Sequence, residues 1–138
     1  STPKITGLRR AENQLFHRML NHPMILNDYR MREEFFFQTP ELEELYHILK
    51  QDGQIDTVAL SLLSQEVQTA YYQVLEEILP PETNLEEVQA IEERRNHFLR
   101  EQDFRKQSKQ IRESSNHGDV DAAVEALQML IAQKRDME

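Results

Sequence analysis

The chain has 138 residues, enough for one hydrophobic core and too few for two large domains. Only 3 glycines and 5 prolines punctuate a sequence rich in Glu, Gln, Leu and Arg, which excludes long strands joined by tight turns and points to an all-α fold. A formal net charge of −9 argues against broad, sequence-independent DNA binding, and the lack of cysteine removes disulfides and thiolate metal sites. A reducing, cytoplasmic setting is expected. No apolar run approaches the roughly 20 residues that span a bilayer, and Ser1-Thr2-Pro3-Lys4 is no signal-peptide hydrophobic segment. A soluble piece of something longer is the expectation.

In chain order, Leu8, Ala11, Leu15, Phe16 and Met19 recur at helical spacing, predicting a first helix from Leu8 to Asn21. It stops at His22-Pro23, because proline pushes the preceding residue out of helical geometry. A short second helix follows over Pro23 to Tyr29, and Phe35-Phe36-Phe37 is expected to anchor the next loop in the core. Thr39-Pro40 opens a third helix, the hydroxyl accepting orphan amide hydrogens and Pro40 sitting harmlessly at the first position. Leu42, Leu45, Tyr46 and Leu49 share its face as far as Gly53.

Asp56 is a candidate cap for a short helix carrying Val58, Leu60, Leu62 and Leu63. Ser64 caps the next, where Val67, Ala70, Tyr71, Val74, Leu75 and Ile78 are expected inside until Pro80-Pro81 ends it. Thr83 with Glu86, or Asn84 with Glu87, then opens one long helix that meets no breaker before Asn116-His117-Gly118. Leu85, Val88, Ile91 and Leu99 lie on one side of it, Phe104 and Ile111 nearly opposite. Its first half should therefore complete a bundle and its second half pair with a last helix. That helix begins at Asp119 and carries Val120, Ala123, Val124, Leu127, Leu130 and Ile131 as one stripe that closes over Phe104 and Ile111. The expected organisation is a helical bundle over 1–96 and a C-terminal helical hairpin over 97–138.

Catalytic signatures fail one by one. Gly7, Gly53 and Gly118 are too far apart for a phosphate loop, and His17 and His22 stand five apart rather than the four that suits shared metal ligation. The Glu-Glu pairs diverge by about 100° on a helix and cannot converge on one atom. Asp119-Val120-Asp121 matches a magnesium-binding Asp-x-Asp, but Asp119 sits where a helix cap is needed and Asp121 suits the positive helix end. No enzyme activity, metal or cofactor is expected.

What remains is surface suited to partners. Ala126, Met129, Gln133 and Met137 form a second line on the last helix, either ordinary surface or a docking face of adaptable side chains. Between Arg94 and Arg112 seven basic residues (Arg94, Arg95, Arg100, Arg105, Lys106, Lys109, Arg112) face only Glu101 and Asp103. Such a run is a solvated helix face or a contact for nucleic acid or an acidic protein tail.

The segment from His117-Gly118-Asp119-Val120-Asp121 through Leu127, Leu130 and Lys134-Arg135-Asp136 resembles the terminal hairpin of bacterial primases. Arg10-Ala11-Glu12-Asn13-Gln14-Leu15 with Met19-Leu20, and Gly53-Gln54-Ile55-Asp56 with Leu60 and Leu63, resemble the bundle shared by the primase C-terminal domain and the N-terminal domain of the replicative helicase. The resemblance implies a non-catalytic, helicase-binding domain of a replicative primase. It would dock on the N-terminal domains of the hexameric DnaB-type replicative DNA helicase and recruit primase to the replication fork. The bundle would stimulate the helicase and the Asp119–Glu138 helix would tether it through Ala126, Met129, Gln133, Lys134 and Met137. The family adds a second partner, the acidic tail of single-stranded-DNA-binding protein, for which the basic run is the candidate; no membrane and little direct DNA contact are expected. The chain lacks the zinc-binding cysteines and polymerising core of a complete primase, so it is not expected to make primers. Two alternatives are an N-terminal domain of a replicative helicase, which shares the bundle, and a nucleic-acid-binding helical module using the Arg94–Arg112 stretch.

Overall fold

A computed structural model describes residues 5–115 and 120–137, all of whose regular structure is helical. The helices are α1 (Gly7–Asn21), α2 (Pro23–Arg30), α3 (Pro40–Asp52), α4 (Thr57–Ser61), α5 (Gln65–Leu75), α6 (Leu85–Ser115) and α7 (Val120–Met137). The chain divides into two compact units, Ser1–Arg95 and Asn96–Glu138. The expected all-α class is met, and the core of the first unit lies where α1, α3 and α5 meet, with α2 against α1.

The helix starts follow local chemistry. Thr6 Oγ1 accepts from Arg9 N at 3.1 Å and Ser64 Oγ from Val67 N at 3.3 Å. Of the two alternatives for α6, Asn84 is the cap, its Oδ1 accepting from Glu87 N at 2.8 Å. Gly53 ends α3 in the left-handed region (φ 75°), where its N–H donates to Leu49 O at 2.8 Å. Thr39 does not cap as expected. Its hydroxyl is oriented by Glu12, donating to Oε1 at 2.7 Å, and accepts no helix N–H in that orientation. Asp56 likewise makes no side-chain capping bond; only its carbonyl takes part, accepting from Leu60 N.

Leu15, Phe16, Met19, Leu42, Leu45, Leu49, Val67, Ala70, Val74, Val88 and Ile91 form the apolar core. An aromatic chain runs through it, Phe35 and Phe37 meeting Tyr29, Tyr46 and Phe16 edge to face at 4.7–5.7 Å. Phe36 turns outward between its two neighbours, so only two of the three phenylalanines anchor the loop. The fifth helix also corrects the sequence reading. It ends at Leu75, not at Pro80-Pro81, and Leu75 and Ile78 are exposed, Ile78 at 96%. The reason lies in α1: Arg18, fully buried, holds Pro80 O with its Nη1 at 2.7 Å and draws 76–80 away from a helical path.

Among the described residues of the first unit, four polar side chains are nearly as buried as the leucines. Glu12 on α1 accepts from Gln38 N (2.8 Å), Thr39 N (2.8 Å), Thr39 Oγ1 and Arg95 Nε (2.8 Å). Arg95 on α6 also donates to Phe36 O at 2.6 Å and lies 4.9 Å over the Phe35 ring. Asn13 accepts from Arg9 Nε at 3.2 Å. Arg18 donates to Glu87 Oε1 through both Nε (3.0 Å) and Nη2. Burial pushes the Glu87 carboxyl up, but hydrogen bonds from Thr83 and Arg18 and the Arg18 charge outweigh it and hold its pKa below the ordinary value.

The two ion pairs give separate predictions. Glu12→Ala strips one buried guanidinium and two backbone amides of their acceptor and should cost about 3–5 kcal/mol in urea unfolding. Arg95→Met should cost clearly less, because Glu12 keeps three donors. For Glu87, a depressed folded pKa contributes stability above the unfolded value that is lost as pH falls through the folded one. The stability advantage of the native chain over Glu87→Gln should therefore be present at neutral pH and shrink below about pH 4.5, as chemical unfolding at stepped pH will show.

Candidate protein-interaction surface

The second unit consists of the C-terminal half of α6 and α7. Along α6, Glu101, Phe104, Ser108 and Ile111 are partly or fully shielded; along α7, Ala123, Leu127, Leu130 and Lys134 are. Both sets follow the alternating three- and four-residue spacing with which paired helices interlock. Leu130 is the best-buried hydrophobic of α7 among the described residues, at 8% exposure. The wider ends of the seam leave space. A shallow trough of about 520 Å³ lies among Gln107, Ile111, Ser114, Ala122, Ala123 and Ala126. At the other end His97, Arg100, Glu101, Phe104, Lys134 and Met137 converge.

Of the residues proposed from sequence for partner binding, Met129 and Gln133 stand free on α7, Met129 at 62% exposure. Ala126 is exposed at the margin of the trough, and Met137 is half-exposed beside Phe104. Lys134 is engaged inside the hairpin: its ammonium lies 3.5 Å from Glu101 Oε1 and 4.6 Å above the Phe104 ring. The stripe expected to close the hairpin is also narrower than the sequence suggested. Val124 and Ile131 remain exposed on the flank opposite Met129, because the seam centres on Ala123, Leu127 and Leu130. Sequence reasoning missed them as surface; alternating three and four spacing, instead of a broad apolar arc, is the signal that separates them. Asn116, His117, Gly118 and Asp119, with the expected cap at Asp119, lie outside the described residues, and so do the side chains of Val120 and Asp121.

The basic run is divided. Arg95 is buried against Glu12 and is removed from any binding face, while Arg94 donates to Gln14 Oε1 at 2.7 Å. Arg100, Arg105, Lys106, Lys109 and Arg112 are exposed on the second unit, with Lys109 4.0 Å from Glu113. The described residues hold no cluster of three or more His, Asp or Glu side chains placed to bind a metal ion. None of their helices is long and apolar enough to cross a membrane.

No family model matches the chain, and no solved structure does. A curated DNA primase of Lactococcus lactis subsp. lactis (strain IL1403) is 24% identical over 140 residues, which takes in 98% of this chain. The chain spans 22% of that protein's length. It is thus distantly similar, along nearly its whole length, to about a fifth of a DNA primase.

The thin seam of the hairpin makes its own prediction. Leu130→Ala should cost about 2–3 kcal/mol within the second unit, read as faster amide hydrogen exchange along α7. Met129→Ala should leave exchange there within about twofold, as an exposed substitution does.

Proposed function

We propose that this chain is a non-catalytic, helicase-docking region of a DNA primase. The observation that carries the reading is the alignment itself: all but a few residues of the chain match one fifth of a DNA primase. A region of this size, helical throughout its described regular structure and acidic overall, suits an interaction module. In this reading the bundle over 1–96 modulates the helicase and the hairpin over 97–138 tethers it. The tether's outward side chains are Ala126, Met129, Gln133 and Met137, now joined by Val124 and Ile131. Lys134 acts indirectly, by holding α7 to Glu101 and Phe104. Docking on a hexamer that moves along the DNA would place a linked polymerase beside emerging single strand and raise its effective concentration there. The work of this region is then positional, and the protein would act in the cytoplasm where the replication fork is.

The test is calorimetric titration of the chain into the purified hexameric replicative helicase of the same organism, with single-stranded and duplex DNA as parallel titrants. Saturable helicase binding is expected, weakened at least about tenfold, or about 1.4 kcal/mol, by Met129→Asp with Ile131→Asp. Both sites are exposed, so circular dichroism should be unchanged. Binding of DNA with none of helicase would overturn the reading and move the function to Arg105, Lys106 and Lys109.

A further inference from the structure

Within the first unit, α2 and the first two turns of α6 border an open trough of about 530 Å³. Ile25, Tyr29 and Val88 line its interior. Its rim carries Met24 at 84% exposure and Leu85 at 67%, two large apolar side chains left to solvent on a unit with 17 acidic and 9 basic residues. The sequence placed Leu85 with Val88 and Ile91 in the core; the structure leaves it outside. Two such side chains flanking one concave, largely apolar place fit the form of a binding groove.

Two further observations point to an occupant. His22 lines the trough with its Nε2 shielded from water and without a hydrogen-bond partner among the described residues, and Tyr29 borders it with its hydroxyl beside the Glu92 carboxylate. Buried polar groups are nearly always paired, so the His22 nitrogen is an exception at this place. Beside them Asp28 and Glu92 share the single guanidinium of Arg32, at 3.0 and 2.6 Å. Two carboxylates against one cation leave the trough with a negative charge to offer.

We propose that this trough docks a short amphipathic segment of a protein partner. Two or three large apolar side chains of that segment seat against Met24, Ile25, Leu85 and Val88, and a lysine or arginine sets its charge against Asp28 and Glu92. Two turns of helix span about 11 Å, which fits apolar anchors spaced three and four residues apart. A flexible methionine on the rim accommodates more than one anchor shape. The groove belongs to the first unit and does not rest on the helicase reading of α7.

The experiment uses the full chain and three fluorescein-labelled peptides of about 14 residues. One carries leucines at helical spacing flanked by lysines; in the second the lysines become glutamates, and in the third the leucines become serines. Saturable anisotropy is expected for the first, with amide shifts in its presence concentrated at Met24, Ile25, Leu85 and Val88, and binding at least about tenfold weaker for the other two. Met24→Glu with Leu85→Glu should weaken the first peptide by a similar factor, whereas Leu62→Glu, at a still more exposed leucine away from the trough, should not. The proposal is overturned if no peptide saturates, if the serine peptide binds as well as the first, or if the Met24 and Leu85 substitutions change nothing.

Discussion

A carboxylate with no access to water constrains the first unit. Glu12 cannot be solvated where it lies, so its charge is tolerable only if donors surround it. Those donors come from two places far apart in the chain: the amides of Gln38 and Thr39 with the Thr39 hydroxyl, and Arg95. Satisfying one side chain therefore fixes the loop before α3 and the rotation of α6 about its axis. Arg95 in turn reaches Phe36 O and stacks on Phe35, so the aromatic cluster takes its place around the same pair. Arg18 repeats the arrangement at the other end of α1, binding Glu87 and Pro80 O. An ion pair of this kind adds little net stability over an apolar pair of the same shape; its effect is to penalise every arrangement that leaves one member alone.

The same feature explains what the sequence disclosed and what it hid. Element positions were legible because prolines, Gly53 and the capping residues act locally, and α1, α3 and α6 begin and end within a residue or so of where those signals fall. Polar burial was not legible, since Glu12, Asn13, Arg18 and Arg95 read in isolation as solvated faces. The partners of Glu12, Arg18 and Arg95 lie 26 to 83 positions away in the chain, beyond any local pattern, and only Asn13 meets a neighbour one turn back, Arg9. The early end of α5 and the outward turn of Ile78 follow from Arg18 and share that invisibility. Thr39 was misread for a related reason: the distant carboxylate of Glu12 orients its hydroxyl, and no local pattern announces that partner.

For the candidate surface, the direction of the Met129 and Gln133 line was legible from helical periodicity alone, while the flank of Val124 and Ile131 was not. Apolar identity made those two look internal. A two-helix seam is too narrow to cover a broad arc, and among the described residues of α7 only Leu130 is well buried. Charge is unevenly shared as well. The acidic excess belongs to residues 1–95, whereas the exposed cations from Arg100 to Arg112 lie in the other unit. Two surfaces of different character are thus presented by one chain.

The pairing of Lys134 with Glu101 and Phe104 also determines how α7 can slide. Antiparallel helices joined by small and aliphatic side chains offer several nearly equivalent alignments, one turn, or about 5.4 Å, apart. Moving α7 by one such step would carry the ammonium away from both its carboxylate and its ring and bring it toward Ser108 or His97, neither of which replaces them. A single cation in the seam thereby fixes the register of the hairpin, as polar residues do in coiled coils. It follows that the relative height of the α7 face and the α6 cations is held by one side chain packed between the two helices.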